Sequence, residues 1–373
     1  MSPRLTRLGA LMRKEWLQIL RDPSALLIAL VMPLVLLVLV GYGVSLDARE
    51  VPLAVVVEEQ SPEAASLVAS FAGTPWFRVT EMRHRHDAEA GLVDGTYKGV
   101  VVVAGDFLAE ALRGGTAPIQ LLLDGTDSNT ARLLNGYVEG AWAVWLRHEA
   151  AARGQGLALP VATEPRIWFN PELRSRNFLI PGLIAIVMTL TGTLLTALVV
   201  AREWERGTME AMIATPVGSG ELLAGKLVPY FVLGMGGMAV TVAAAVFLFQ
   251  VPLRGSLAVL TATSALFLVA ALAMGLLIST VARNQFVAGQ IAIVSAFLPA
   301  FLLSGFVFEP SSMPPAIEIL SHLVAARYFV SILQTLFLAG DLWSVILPNC
   351  AALALIAAVL LAATLRRTRR RLD

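Results

Sequence analysis

Six long apolar runs dominate the hydrophobic pattern of this chain. Each has more than 20 residues and contains no Asp, Glu, Lys, Arg or His, which is enough to cross the roughly 30 Å hydrocarbon core of a bilayer as a helix. The runs cover residues 24–46, 178–201, 227–249, 257–281, 286–306 and 343–365. The pattern therefore predicts a polytopic α-helical membrane protein with six transmembrane helices.

The first run follows basic residues, as a secretory signal does. It is longer than the 7–15-residue apolar core of such a signal, and no A-x-A cleavage site follows it. We therefore expect it to remain as a membrane anchor. Asp22-Pro23 predicts the start of its helix, and Pro33 predicts a kink.

The segment 47–177 between the first two runs has a different pattern, in which short β-rich runs alternate with helical ones. The candidate strands are Pro52–Val57, Phe77–Met82, Gly99–Val103, Ile119–Leu123 and Ile167–Phe169. The candidate helices are Pro62–Phe71, Ala88–Asp94, Phe107–Arg113 and Thr130–Arg153. This alternation predicts an inserted α/β domain with a covered sheet.

The distribution of basic residues predicts the orientation. Of the 28 Lys and Arg, fourteen lie beside spans on the side of the N-terminus, and only Arg254 and Arg327 lie in short loops on the other side. The positive-inside rule then places both termini in the cytoplasm and 47–177 outside it. Residues 1–23 are expected to form a cytoplasmic in-plane helix, and 366–373 a basic cytoplasmic tail. That helix has Leu5, Leu8, Met12, Trp16 and Ile19 on one face and Arg7, Lys14 and Arg21 on another.

Candidate catalytic and metal-binding residues are few. No cluster of Cys or carboxylate residues completes a metal site with His84 and His86, so we expect an exposed strand edge there rather than a metal site. His148-Glu149 lacks the second His of a zinc-protease motif, and Asp124-Gly125 is expected to be a turn before a helix. One cysteine, Cys350, excludes a disulfide framework within the chain. We predict no catalytic residue, bound cofactor or metal in this chain.

Residues 220–227 resemble the phosphate-binding G-x-x-x-x-G-K-[ST] loop, but Leu227 replaces the Ser or Thr that holds magnesium. The motif also needs a preceding strand, whereas this segment runs into an apolar span. We therefore predict that the chain does not bind ATP by itself. The net charge of +1 argues against nucleic-acid binding.

The apolar spans lack the intramembrane acids and histidines of proton-coupled carriers. Six spans containing Pro33, Pro181 and Pro299 exceed what anchoring a domain requires, which favours transport. The alternative is a membrane-anchored receptor or assembly factor whose outside domain binds a partner protein. A membrane enzyme is disfavoured because no catalytic constellation is found.

The loop after the second span contains the most informative motif. Met209, Met212 and Ile213 recur at helical spacing, while Glu203, Arg206 and Glu210 lie off that stripe and Pro216 ends the segment. This pattern predicts a short amphipathic helix over 203–216 beneath the membrane. Its carboxylates could pair with basic residues of a partner protein.

Three segments resemble the signature of the ABC-2 type transporter permeases. They are Arg176-Asn177-Phe178-Leu179-Ile180-Pro181-Gly182, Arg202-Glu203-Trp204-Glu205-Arg206-Gly207-Thr208-Met209-Glu210 and Thr215-Pro216-Val217, followed by Gly225-Lys226. Trp204 stands where relatives often have Arg. The order of parts is also similar, because a basic helix and one span precede a large outside domain and five further spans.

The resemblance implies the permease subunit of a bacterial exporter in the cytoplasmic (inner) membrane. Such a subunit moves a hydrophobic or amphiphilic substrate, such as a drug, lipid or glycan-lipid, and it pairs with a separate ATP-binding cassette ATPase that binds ATP and magnesium. A second permease, identical or paralogous, completes the dimer; a periplasmic adaptor protein and membrane lipids are further expected partners.

The resemblance also assigns roles to two segments. Residues 308–341 are expected to form a re-entrant segment near the outer surface. Residues 203–216 are expected to form the coupling helix that docks on the ATPase. The implied contact residues are Glu203, Glu205, Arg206, Gly207, Thr208, Glu210, Thr215 and Pro216.

Overall fold

The computed structural model describes residues 3–43, 50–103, 119–125, 128–152, 174–213, 217–308 and 310–367. The chain divides into two compact units. The helical unit comprises Met1–Val44 and Ile167–Asp373, and the sheet unit comprises Ser45–Arg166. The predicted α/β segment thus forms a compact unit of its own.

The described elements follow one another in this order. They are α1 (Pro3–Arg21), α2 (Pro23–Gly43, with a π-helical turn at Leu27–Val31), β1 (Val51–Val57), α3 (Pro62–Ala72), β2 (Phe77–Met82), α4 (Arg85–Val93), β3 (Gly99–Val103), β4 (Ile119–Leu123), α5 (Ser128–Ala152), α6 (Ser175–Glu205), α7 (Thr208–Ile213), α8 (Ser219–Ala243, continued by a π-helical turn at Ala244–Leu248), α9 (Leu257–Ala282), α10 (Gln285–Leu303), α11 (Pro315–Ser321), α12 (Ala325–Leu338) and α13 (Trp343–Arg367).

Six of the described helices are long and apolar enough to cross a membrane, which confirms the six predicted spans. They are α2, α6, α8, α9, α10 and α13. The pair α11 and α12 bends by 80° and is either a broken seventh span or a re-entrant loop, the geometry predicted for 308–341. Residue 309 of that segment lies outside the described residues. Helix α6 begins at Ser175, so the last residues of the predicted 47–177 domain form its first turn.

Close backbone packing joins the spans. Pro33 has no N–H for the carbonyl of Ala29 four residues earlier, and α2 widens into its π-helical turn just before Pro33. Gly237 of α8 packs at this point, where a Cβ atom would lie 2.2 Å from the Ala29 carbonyl oxygen. Glycine at 237 is therefore required for α8 to approach α2 this closely.

The contact between α6 and α9 follows the same principle. A Cβ atom on Gly275 of α9 would lie 2.2 Å from the carbonyl oxygen of Thr193 in α6. The Thr196 hydroxyl donates a 2.8 Å hydrogen bond to the carbonyl of Leu272 across this contact. Small residues and hydroxyl-to-carbonyl bonds thus hold these two helices together.

The sheet unit contains one four-stranded mixed sheet in the order β2-β1-β3-β4. Strand β1 pairs in parallel with β2 and β3, while β4 pairs antiparallel to β3. Alternate residues of β1 face opposite layers: Val55 packs with α3 and α5, and Val56 packs with α4. A covered sheet was predicted, and the four described strands form one that is packed by helices on both faces.

Two local predictions in this unit have different outcomes. The strand edge expected at His84 and His86 is wrong, because His84 precedes the first turn of α4 and His86 lies within it. The predicted helix 107–113 and strand 167–169 lie outside the described residues. Among the described residues, no group of three or more His, Cys, Asp and Glu side chains is arranged to hold a metal ion.

Candidate functional site

The predicted coupling segment begins with a sharp turn between α6 and α7. Helix α6 continues to Glu205, and Gly207 then adopts a left-handed backbone conformation with φ of +69°. A left-handed glycine commonly ends a helix because it has no Cβ atom to clash. The single helix predicted over 203–216 is therefore wrong in this respect: its first residues belong to α6, and the short helix α7 starts only at Thr208.

Helix α7 is anchored by the apolar stripe that the sequence predicted. Met209 is 2% exposed and packs with Val200 of α6, Leu222 and Leu223 of α8, and Leu276 of α9. The Thr208 hydroxyl donates a 3.2 Å hydrogen bond to the Glu203 carbonyl across the turn. The turn thus projects from the unit while both of its sides remain fixed to it.

Glu203 lies in a buried ion-pair network rather than on the surface. Its carboxylate pairs with Lys226 of α8 and, at 2.7 Å, with Lys14 of α1. Glu15 of α1 pairs with the same two lysines, at 3.0 Å to Lys226 and 2.9 Å to Lys14. Glu15, Glu203 and Lys226 are each at most 3% exposed. Two carboxylates and two ammonium groups therefore compensate one another where α1, α6 and α8 meet.

We call this region the charged end: it consists of α1, the last turns of α6, α7, and the first turns of α8. Lys14 sits at its border with solvent. Burial lowers the pKa of Lys14, but the hydrogen bond to Glu203 and the charges of Glu15 and Glu203 outweigh burial. The pKa of Lys14 is therefore raised above its ordinary value.

Helix α1 presents three different faces. Arg7, Lys14 and Arg21 recur every seven residues and line a groove of about 960 Å³. Glu15 and Ile19 point into the unit, where each is 1% exposed. The predicted single apolar face is therefore divided, because Ile19 is buried while Leu5 and Trp16 are 55% and 40% exposed.

A second set of contacts joins α6 to α2 and α10. Arg202 pairs with Asp22, which also accepts a 3.0 Å hydrogen bond from the backbone N–H of Ser24 at the start of α2. Burial raises the pKa of Asp22, but the hydrogen bonds from Ser24 and Arg202 outweigh it, so the pKa is lowered overall. Arg202 also donates to Gln285 of α10 at 3.2 Å.

Glu205 is exposed and binds α10 as well. Its carboxylate accepts a 2.9 Å hydrogen bond from the backbone N–H of Gln285 and another from that residue's side-chain amide. Trp204 lies 4.6 Å beneath the guanidinium of Arg283, which is close enough for a cation–π contact. Contacts with Asp22, Gln285 and Arg283 thus hold the last turn of α6.

The predicted contact residues therefore differ in their surroundings. Glu205, Arg206, Gly207 and Thr208 are exposed around the turn, whereas Glu203 is buried. Glu210 lies in α7, and Thr215 and Pro216 lie outside the described residues. The assignment of all eight to an ATPase contact stays a prediction. For Glu203, the ion pairs favour a role in positioning the turn.

Sequence reasoning missed Glu15 and Lys226 as members of this region. The only feature of the sequence that could have predicted a buried ion pair at Glu15 is its position near the apolar face of an otherwise basic helix. Lys226 entered the sequence analysis only in the near-match to a phosphate-binding loop and in the Gly225-Lys226 pair of the family signature, neither of which predicted an ion pair. That segment is the beginning of α8, and the Lys226 ammonium is bound to two carboxylates.

The chain from the start of α2 to the last turn of α13 matches a known family. The sequence profile described as "ABC-2 family transporter protein" matches residues 23–366. The chain belongs to the ABC-2 transporter family. This membership and the six apolar helices make it a multi-pass membrane transport permease.

Full-length relatives agree with this membership. The chain is 45% identical over 368 residues to the "Probable multidrug ABC transporter permease YbhS" of Escherichia coli, covering 98% of both chains. It is 28% identical to the E. coli permease YbhR, with 89% of this chain and 90% of the relative covered. It is also 28% identical to the E. coli "Inner membrane transport permease YhhJ", with 86% and 85% covered.

Proposed function

We propose that this chain is the permease subunit of an ABC exporter in a bacterial inner membrane, moving hydrophobic or amphiphilic compounds out of the cytoplasm. Both termini and the charged end lie in the cytoplasm, and the sheet unit lies outside it. ATP and magnesium bind to a separate ATPase subunit, and a second permease, identical or paralogous, completes the transporter. The main support for this proposal is the exposed turn between α6 and α7, because the ion pairs of Glu203 connect it to α1 and α8.

This geometry suits the transmission of force. A partner that pushes on the turn at Arg206 and Gly207 acts directly on the end of α6. Glu203 pairs with Lys226, and Lys226 pairs with Glu15, so displacement of α6 is shared with α8 and α1. A buried ion pair resists separation because each lone charge would be left unpaired in a low-dielectric site.

The surface around the turn suits a partner with both signs of charge. Arg21 and Arg206 border the groove between α1 and the turn and are both exposed, while Glu205 adds a carboxylate beside them. The Trp204 side chain lies beneath Arg283 and so faces α9 and α10 rather than a partner. We therefore expect the ATPase to contact Glu205, Arg206, Gly207 and Thr208 directly.

A cavity among the spans supports an apolar substrate. About 410 Å³ in volume, it is lined mainly by apolar side chains that include Phe267, Met274 and Leu303. The hydroxyls of Thr189 and Ser295 in its wall donate to carbonyls of their own helices, at 2.7 Å and 2.6 Å. Its wall therefore favours apolar compounds, which agrees with the word "multidrug" in the names of two relatives.

The first experiment tests docking of the ATPase. Charge reversal at Glu205 and Glu210 should lower the amount of ATPase that co-purifies with the full-length chain by about tenfold or more, since paired charges become repulsive. Glu58→Arg with Glu59→Arg, which reverses two exposed carboxylates of the sheet unit, is the matched control. Unchanged co-purification and unchanged stimulated ATP hydrolysis in the first variant would rule out the coupling role.

The second experiment separates transport from the receptor alternative. The chain and its ATPase are reconstituted together in vesicles loaded with ethidium as a lipophilic probe. The exporter function requires ethidium movement that depends on ATP and disappears in the Glu205 and Glu210 variant. A receptor or assembly factor would show no movement with any of several such dyes.

A further inference from the structure

A pocket with polar side chains in its wall lies among α12, α13, the start of α6 and the segment that follows α10, away from the charged end. Its volume is about 710 Å³. Arg327, Ser331 and Gln334 share one face of α12 because they are spaced by four and three residues. Asn349 of α13 also lines the pocket and approaches the Ser331 hydroxyl at 3.5 Å. Hydrogen-bonding side chains thus gather beside helices that are otherwise apolar.

Two side chains in this pocket have N–H groups without a partner among the described residues. Arg327 uses only its Nη1 atom, which contacts the Glu318 carbonyl at 3.3 Å, the Ser321 hydroxyl and the His322 ring. The side-chain amide nitrogen of Gln334 is fully buried and has no hydrogen-bond partner there. Buried donors in proteins are nearly always paired, so an unpaired one indicates that another group binds to it.

The charge of the pocket selects the kind of group. Arg327 is the one ionisable side chain among the described residues that line it. A guanidinium and an amide favour a ligand rich in acceptor oxygens, above all a phosphate, which guanidinium groups bind in a bidentate manner. Among the same residues no carboxylate is present to pair with a choline or ethanolamine ammonium. A headgroup with net negative charge therefore fits best.

The rim of the pocket has the opposite character. Phe178 and Val307 line its edge and are 41% and 44% exposed, and the neighbouring Phe308 is 56% exposed. A polar interior with an apolar rim matches a molecule that is anionic at one end and hydrocarbon at the other. A small water-soluble anion would make no use of the rim.

We propose that this pocket binds the headgroup of an anionic phospholipid. The phosphate oxygens accept hydrogen bonds from Arg327 and from the Gln334 amide, and the acyl chains lie along Phe178 and Val307. The proposal depends on the membrane location of the spans and is independent of the ATPase and of the direction of transport.

The test measures lipid retained by the purified full-length chain. The chain is placed in nanodiscs containing equal amounts of dioleoyl phosphatidylglycerol and dioleoyl phosphatidylcholine, extracted into detergent, and its bound lipid is identified by native mass spectrometry. We expect retention of phosphatidylglycerol over phosphatidylcholine. Both Arg327→Gln and Gln334→Leu should lower it by about tenfold, the usual consequence of losing a hydrogen bond to a charged group.

Arg254→Gln is the matched control, because it removes an exposed positive charge from a loop outside the pocket. Gln334→Leu also tests a purely structural role. Without a ligand, replacing an unpaired buried amide by leucine should raise the thermal midpoint and leave lipid retention unchanged, and that result would overturn the proposal.

Two further outcomes would also overturn it. One is equal retention of the two lipids, or retention that falls equally in the Arg254→Gln control. The other is a result that identifies a soluble anion as the ligand. In that case inorganic phosphate or glycerol 3-phosphate would raise the thermal midpoint of the wild type but not that of either pocket variant, and the chain would retain the two lipids equally.

Discussion

The charged end and the α6–α9 contact hold helices together in opposite ways. At the charged end, long side chains bridge α1, α6 and α8 through the pairs of Glu15, Glu203 and Lys226. Between α6 and α9, Gly275 brings the backbones together and Thr196 donates to a carbonyl. Helix contacts inside the hydrocarbon region thus depend on the absence of side-chain volume, whereas contacts at the membrane border depend on the pairing of charges.

The largest expected effect is at the charged end. Lys226→Met leaves Glu15 and Glu203 buried with only Lys14 to compensate them, and we expect a loss of about 3–5 kcal/mol in the free energy of unfolding. The measurement is unfolding by sodium dodecyl sulfate in mixed micelles. Adding Glu15→Gln to Lys226→Met should restore much of the loss. A single variant as stable as the wild type would show that the network is not needed for stability.

Glycine substitutions test the close contacts among the spans. A methyl group on Gly237 would lie 2.2 Å from the carbonyl oxygen of Ala29, whereas on the adjacent Gly236 it would meet only a Leu30 methyl carbon, at 3.9 Å. We expect Gly237→Ala to lose about 1–3 kcal/mol and Gly236→Ala to be nearly neutral, because only the first forces the helices apart. The same unfolding assay checks this. Equal losses in both variants would count against close packing as the cause.

The weakest effect that we expect is a pH dependence that arises from Lys14 in the charged end and from Asp22, which pairs with Arg202 next to it. Because the pKa of Asp22 is lower in the folded protein than its ordinary value of 3.8, the ionised carboxylate stabilises the fold. This stabilisation is fully present above pH 3.8 and is lost as the pH falls through the pKa that Asp22 has in the folded protein. Because the pKa of Lys14 is higher in the folded protein than its ordinary value of 10.5, the ammonium form stabilises the fold. This stabilisation is fully present below pH 10.5 and is lost as the pH rises through the pKa that Lys14 has in the folded protein. Each contribution is at most about 1 kcal/mol for groups this close to solvent.

Thermal midpoints measured from pH 3 to 11.5 check this expectation. Asp22→Asn should flatten the acid side of the profile relative to the wild type, and Lys14→Gln the alkaline side. Gly237→Ala should lower the whole profile without changing its shape, since no ionisable group takes part in that contact. A changed shape in that variant would mean that the two kinds of contact are coupled.

Much of the fold follows from local pattern. The six spans and the four described strands lie close to their predicted positions because apolar run length and strand or helix periodicity are local properties. The end of α6 was less predictable. Periodicity favoured a helix starting at Glu203, but Gly207 ends α6 and moves the start of the short helix to Thr208. A glycine that ends one helix looks the same in sequence as one that begins another.

The candidate site was less predictable than the fold. Glu203 carries the same charge as Glu205, and both lie within the family motif, yet one is buried in a network and the other is exposed. The difference arises from Lys14 and Lys226, which are 189 residues before and 23 residues after Glu203 in the chain. The buried position of Glu15 on α1 has the same origin, because its partner Lys226 is 211 residues away.

Local patterns along the chain were enough to predict six helices that could span a membrane and a separate α/β unit, because hydrocarbon thickness and secondary-structure periods act over a few turns. The ABC-2 motif is likewise readable from contiguous residues. Which charges pair, which glycines sit between backbones and which residue of α13 joins the polar face of α12 become clear only from the tertiary structure. These depend on distances between segments far apart in the chain, and burial then fixes the energetic consequence of each.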